Sequence, residues 1–179
     1  PGGVNGGAWA FSGGKSQAVC TFSSSGEAHA SGGGGGGGDT NSVGYSLPID
    51  FEVDEPEFTA FGNSTDTVID NPHPGGINTS SRVLETVHGS ETWAGIFVDL
   101  GDKLDFSTAT NIEVKVWAPG TGEFLVKLES QASSSTFIEK TVNVTEANTW
   151  VQLSVDFSDA DAGLYDRLVV FPGWGVANA

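Results

Sequence analysis

From Leu47 onward, apolar and polar residues alternate with a period of two. The clearest runs are Ile112-Glu-Val-Lys-Val-Trp117, Phe137-Ile-Glu-Lys-Thr-Val-Asn-Val144 and Trp150-Val-Gln-Leu-Ser-Val-Asp-Phe157. Each puts apolar side chains on one face of an extended segment and polar ones on the other, which predicts half-buried β-strands. Residues 95–100, 124–129 and 166–171 read as shorter, more continuously apolar strands. Turn-rich breaks such as Gly101-Asp102 and Pro119-Gly-Thr-Gly122 separate these runs. No segment carries a helical period over three turns. Seven to nine short strands at this spacing (roughly,) predict an all-β chain, folded as a two-sheet antiparallel β-sandwich of the jelly-roll kind.

Ahead of this body the pattern changes. Residues 1–46 hold 15 of the 26 glycines and only three charged residues, Lys15, Glu27 and Asp39. Residues 8–11 and 17–23 are strand-like, and Gly32 to Gly38 is an unbroken glycine run. The division is therefore a Gly-rich arm or linker with short strands over 1–46 and a sandwich domain over 47–179. Such composition ordinarily makes a flexible linker. Ordering seven glycines costs more backbone entropy than ordering any other seven residues. Neighbours must hold such a run if it is ordered, most simply other chains of an assembly.

Charge narrows the partners. With 23 acidic against 7 basic residues the net charge is −16. Such a surface repels phosphate backbones and anionic bilayers, so neither nucleic acid nor membrane is an expected partner. No apolar run approaches the ~20 residues of a membrane span. The single cysteine, Cys20, can form no internal disulfide and reads as a small buried hydrophobe. The chain begins at Pro1 without Met, as a processed chain or a fragment would.

No catalytic constellation emerges. His29, His73 and His88 are scattered, and the spacings of zinc, serine-hydrolase and phosphate-loop motifs are missing. Of the three, His73 is notable for sitting between two prolines. Sugar binding instead needs aromatic platforms beside polar side chains. Strand parity supplies them: Trp117 shares a face with Glu113 and Lys115, and Trp150 shares one with Gln152 and Ser154. A tryptophan that merely covers a sheet edge is the plainer alternative for both. Trp174, in a terminal Pro-Gly-Trp-Gly turn, is either exposed or covers an interface. Arg82, Lys115 and Lys127 are three of six bases after Leu47, and together they would bond hydroxyls or an anionic sugar.

The run Asp70-Asn-Pro-His-Pro-Gly-Gly-Ile-Asn-Thr-Ser-Ser-Arg-Val83 is the most specific wording in the chain. With Leu47-Pro-Ile-Asp-Phe-Glu52, Thr92-Trp-Ala-Gly95, Val116-Trp-Ala-Pro119 and Tyr165-Asp-Arg167, it resembles a β-sandwich domain of secreted marine bacterial proteins. There the domain sits beside polysaccharide-degrading enzymes and is taken to bind carbohydrate. Similar domains occur in structural proteins of marine phages. The resemblance, over about residues 47–176, implies a non-catalytic module on an extracellular, cell or virion surface, with a polysaccharide as partner. It also implies a role for Trp93, which recurs in such domains. The site set is thus Trp93, Trp117, Trp150, Trp174, Lys115 and Arg82. Jelly-roll modules of this kind commonly hold a structural calcium near the first strand, and the resemblance points to Asp50, Glu52 and Asp70 for it. Related domains close with a strand bearing an aromatic and two aspartates, which this chain lacks. Either the chain is cut short, or a strand from the Gly-rich front or from a neighbour fills the place. The alternative role is a structural subunit of a virion fibre, a decoration protein or a filament, working as a homo-oligomer or larger assembly and docking through the Gly-rich arm.

Overall fold

The computed structural model describes residues 17–24 (backbone only), 45, 47–52, 55–107 and 110–176. The chain is all-β, with no helix among the described residues. Ten strands occur there: β1 (Gln17–Ser24), β2 (Thr59–Phe61), β3 (Thr65–Asp70), β4 (Arg82–Val87), β5 (Gly95–Asp99), β6 (Asn111–Trp117), β7 (Gly122–Ser130), β8 (Ser133–Val144), β9 (Trp150–Asp156) and β10 (Arg167–Pro172). They form two five-stranded sheets, β3-β4-β1-β6-β9 and β2-β5-β10-β7-β8. Every pairing between these strands is antiparallel.

Alternation explains the core. In β6, Ile112, Val114 and Val116 are fully buried while the residues between them are half-exposed. Leu153 and Val155 of β9 and Leu84 of β4 turn the same way. They share one hydrophobic cluster with Ile96, Val98, Phe124, Val126, Leu128, Leu168 and Val170 from the second sheet. Burial of such side chains stabilises by about 1.5–3 kcal/mol each before entropy is counted.

The break in composition near Tyr45 is not a break in the sheet. Strand β1 lies between β4 and β6, with Val19 opposite both Glu85 and Trp117. A strand from the glycine-rich front thus joins the body. The glycine run at 32–38 and the strand-like piece at 8–11 lie outside the described residues. So does the side chain of Cys20, whose backbone pairs opposite Leu84 and Val116.

The second sheet is apolar on both faces. Away from the shared core it carries a separate cluster of Leu125, Val169 and Phe171, with Phe61, Phe97 and Trp174 packed on them. The continuously apolar wording of β5, β7 and β10 reflects this two-sided burial.

Candidate functional site

Three surface regions contain the residues singled out above. The first is the face of the β3-β4-β1-β6-β9 sheet that turns away from the core. Register sets Trp117 of β6 directly opposite Trp150 of β9, Lys115 opposite Gln152, and Glu113 opposite Ser154. Opposed residues in an antiparallel pair share a face, so two indoles head a ladder of polar side chains. The ladder is internally bonded. Gln152 donates from Nε2 to Glu113 Oε2 (2.9 Å), and Ser154 donates its hydroxyl to Glu113 Oε1 (2.7 Å). Asn111 donates from Nδ2 to Ser154 Oγ at 2.7 Å.

The loop between β3 and β4 reaches this face. Asn71 and Asn78, both buried, organise it. Asn71 Nδ2 donates to the Ser80 carbonyl (2.9 Å), and Asn71 Oδ1 accepts from His73 N (2.9 Å). Asn78 Oδ1 accepts from Ser80 N and from the Ser80 hydroxyl, and Gly75 and Asn78 exchange backbone bonds. Gly76 has φ of +58°, a conformation that favours glycine. Thus built, the loop lays the His73 imidazole on the Trp117 indole, centroids 3.9 Å apart and planes 14° from parallel. Trp150 Nε1 donates to the His73 carbonyl at 2.7 Å. The aromatic surface offered to solvent is a composite of His73, Trp117 and Trp150.

The second region is on the other sheet. Trp93 is 49% exposed and stacks on Phe61, with centroids 6.2 Å apart and planes 10° from parallel. Phe61 packs edge-on against Phe171, and Phe171 edge-on against Trp174. Gly175 N donates to the Thr92 carbonyl, which ties the two tryptophan loops together, and Trp174 N donates to the Glu123 carbonyl of β7, both at 3.0 Å. Trp93 and Trp174 therefore belong to one aromatic strip, and Trp117 and Trp150 to another.

No protein-family model matches this chain. No curated protein and no solved structure matches it either.

The third region, at the two ends of the β3–β4 loop, holds Arg82 and the carboxylates Asp50, Glu52 and Asp70. Glu52 Oε1 accepts the backbone N–H groups of Ser81 (2.6 Å) and Arg82 (3.0 Å), and Oε2 accepts the Ser81 hydroxyl. These bonds, led by the Ser81 hydroxyl, hold its carboxyl below the usual range. Asp50 Oδ1 accepts from Glu52 N (3.1 Å). Arg82 reaches Glu55 at 2.8 Å and Asp70 at 3.8 Å. The three carboxylates are engaged with nitrogen donors and a serine hydroxyl. Among the described residues no group of three or more His, Cys, Asp or Glu is arranged to hold a metal ion.

Sequence reasoning placed Trp117, Trp150 and Lys115 on outward faces and marked His73, but not the stack that joins them. That contact spans 44 positions, and nothing local encodes it. The Phe61, Phe97 and Phe171 cluster was missed, although the continuous apolar runs of β5 and β10 were its signal.

Proposed function

We propose that this chain is a non-catalytic carbohydrate-binding module, its two sheets stacked as a jelly-roll sandwich, working on an extracellular or surface protein. The observation that carries the reading is the Trp117–Trp150 pair set at the head of the Glu113, Lys115, Gln152 and Ser154 ladder. Pyranose C–H faces stack on indole rings, while amide, carboxylate and ammonium groups bond hydroxyls. Both kinds of group share the outer face of one sheet, beside the His73 ring that the β3–β4 loop lays on Trp117. Affinities of isolated modules on such faces are weak, on the order of micromolar to millimolar, and rise with repetition in an array.

Affinity electrophoresis of the full chain in a panel of soluble polysaccharides tests this. Retardation by at least one polymer is expected, with loss in Trp117→Ala and Trp150→Ala and retention in Trp93→Ala. Retardation unchanged in both face variants would remove the reading.

A structural subunit of a surface assembly is the second reading. It is favoured by the aromatic strip of the other sheet, where Trp93 is 49% exposed, and by Phe137 of β8, 46% exposed beneath Lys127. Light scattering with and without residues 1–46 tests it, and a monomer in both cases counts against it.

A further inference from the structure

We propose that the sheet face carrying Trp117 and Trp150 selects acidic saccharides, with Lys115 receiving the anionic substituent of the sugar, a carboxylate or a sulfate ester. The inference rests on the carbohydrate-binding reading and specifies the ligand class of the same face.

Positive charge is scarce on this chain. Six bases follow Leu47. Four are in ion pairs: Arg82 with Glu55 (2.8 Å), Lys127 with Glu129 (2.5 Å), Lys140 with Asp159 (2.6 Å) and Arg167 with Asp99 (2.6 Å). Among the described residues Lys103 and Lys115 have no such pair. Lys103 is exposed in the loop after β5, where water solvates it. Lys115 is half-buried on the sheet face. In a chain with more than three acids per base, an unpaired, partly buried lysine is conspicuous.

Its nearest carboxylate along the strand explains why it stays unpaired. Glu113 lies two residues away on the same face, about 7 Å along the strand. Both its oxygens are taken by Gln152 and Ser154, which draw the carboxylate toward β9. No carboxylate among the described residues pairs with Lys115, which the register sets opposite Gln152, one outward position from the Trp117–Trp150 pair. Trp117 and Trp150 are one step further along the same face, so a pyranose against the composite of His73, Trp117 and Trp150 places an exocyclic substituent within reach of Lys115. Ammonium-to-anion hydrogen bonds are roughly twice as strong as neutral ones.

The net charge of −16 makes the inference sharp. Long-range fields repel a polyanion from this protein, so non-specific attraction cannot produce a preference for one. A preference for acidic polymers must come from a local contact.

The test measures binding of the full chain to a polyuronate, a sulfated galactan and a neutral β-glucan, at one ionic strength near 0.15 M (roughly physiological,). Wild type is compared with Lys115→Gln and with Lys103→Gln, which makes the same charge change away from the face. One acidic polymer is expected to bind roughly tenfold tighter than the neutral one, the scale of one charge-assisted hydrogen bond. Lys115→Gln is expected to erase that difference and Lys103→Gln to preserve it. Retention by the polyuronate assigns a carboxylate, and by the galactan a sulfate. Equal binding of all three polymers, or equal effects of the two lysine variants, overturns the inference while leaving the carbohydrate reading standing. Binding of none of the polymers overturns both.

Discussion

The imidazole of His73 lies flat on the indole of Trp117, and the carbonyl of the same histidine accepts the Nε1–H of Trp150. One loop residue thus fastens the β3–β4 loop to two neighbouring strands. His73→Ala removes the ring contact and keeps the carbonyl. A stacked pair contributes about 0.5–1.5 kcal/mol beyond its buried area. The variant should lose stability of about that size in urea unfolding, with altered near-UV circular dichroism from the indoles. His73→Phe should recover most of the loss, and equal stability of Ala and Phe variants would contradict the stack.

Gly95 and Gly89 admit no side chain. A Cβ on Gly95 would lie 2.6 Å from the Val170 carbonyl oxygen, and one on Gly89 would lie 1.9 Å from the Gly62 carbonyl oxygen. Both obstacles are backbone, which cannot swing aside. Gly95→Ala and Gly89→Ala should each cost about 1–3 kcal/mol or more by overpacking, seen as a lower melting temperature. Gly163→Ala meets nothing within 4 Å, but its φ of +74° still disfavours alanine. Its loss should be smaller, about 1 kcal/mol.

Acid should destabilise the fold in two stages. Burial pushes the His88 imidazole below its ordinary value, against the opposing bond to the Gly89 carbonyl. The unfolded chain therefore takes up this proton first, and stability falls as pH drops below about 6.5. The Glu52 carboxyl is also held down, so its contribution is present above the ordinary glutamate range and is lost as pH falls through the folded value. Asp66 runs the other way. Burial raises its carboxyl, and stability falls as pH rises past the ordinary aspartate range. Asp66→Asn should consequently raise the melting temperature at neutral pH. Melting curves from about pH 2 to 8, a window that spans the ordinary ranges of all three groups and the lowered Glu52 carboxyl, check all three signs, and a His88→Gln variant should lose the upper step.

Glu52 should act as a clamp on residues 81–82 independently of any cation. Glu52→Gln weakens three hydrogen bonds at once. The melting temperature should fall by the same amount in calcium and in a chelator. A loss seen only with calcium present would return the carboxylates to a metal-binding role.

Much of the architecture was legible. The alternation at 112–117 and 150–157 marks β6 and β9, and parity alone put Trp117 and Trp150 outward. The strand-like wording at 17–23 corresponds to β1. What alternation cannot encode is which strands become neighbours. The position of β1 between β4 and β6 was hidden for that reason, as was the grip of Glu52 on Ser81, 29 positions away. Parity also could not say that the four outward tryptophans would divide between two sheets.

The central place of β1 has a kinetic side. Val19 must find Glu85 and Trp117, which lie 66 and 98 positions further along the chain. Such distant pairings form late and slowly. Until β1 arrives, β4 and β6 bound an open slot with unpaired backbone on both sides. At high concentration that slot accepts the same strand from another molecule as readily as its own, so dilute refolding should yield monomers and concentrated refolding exchanged dimers.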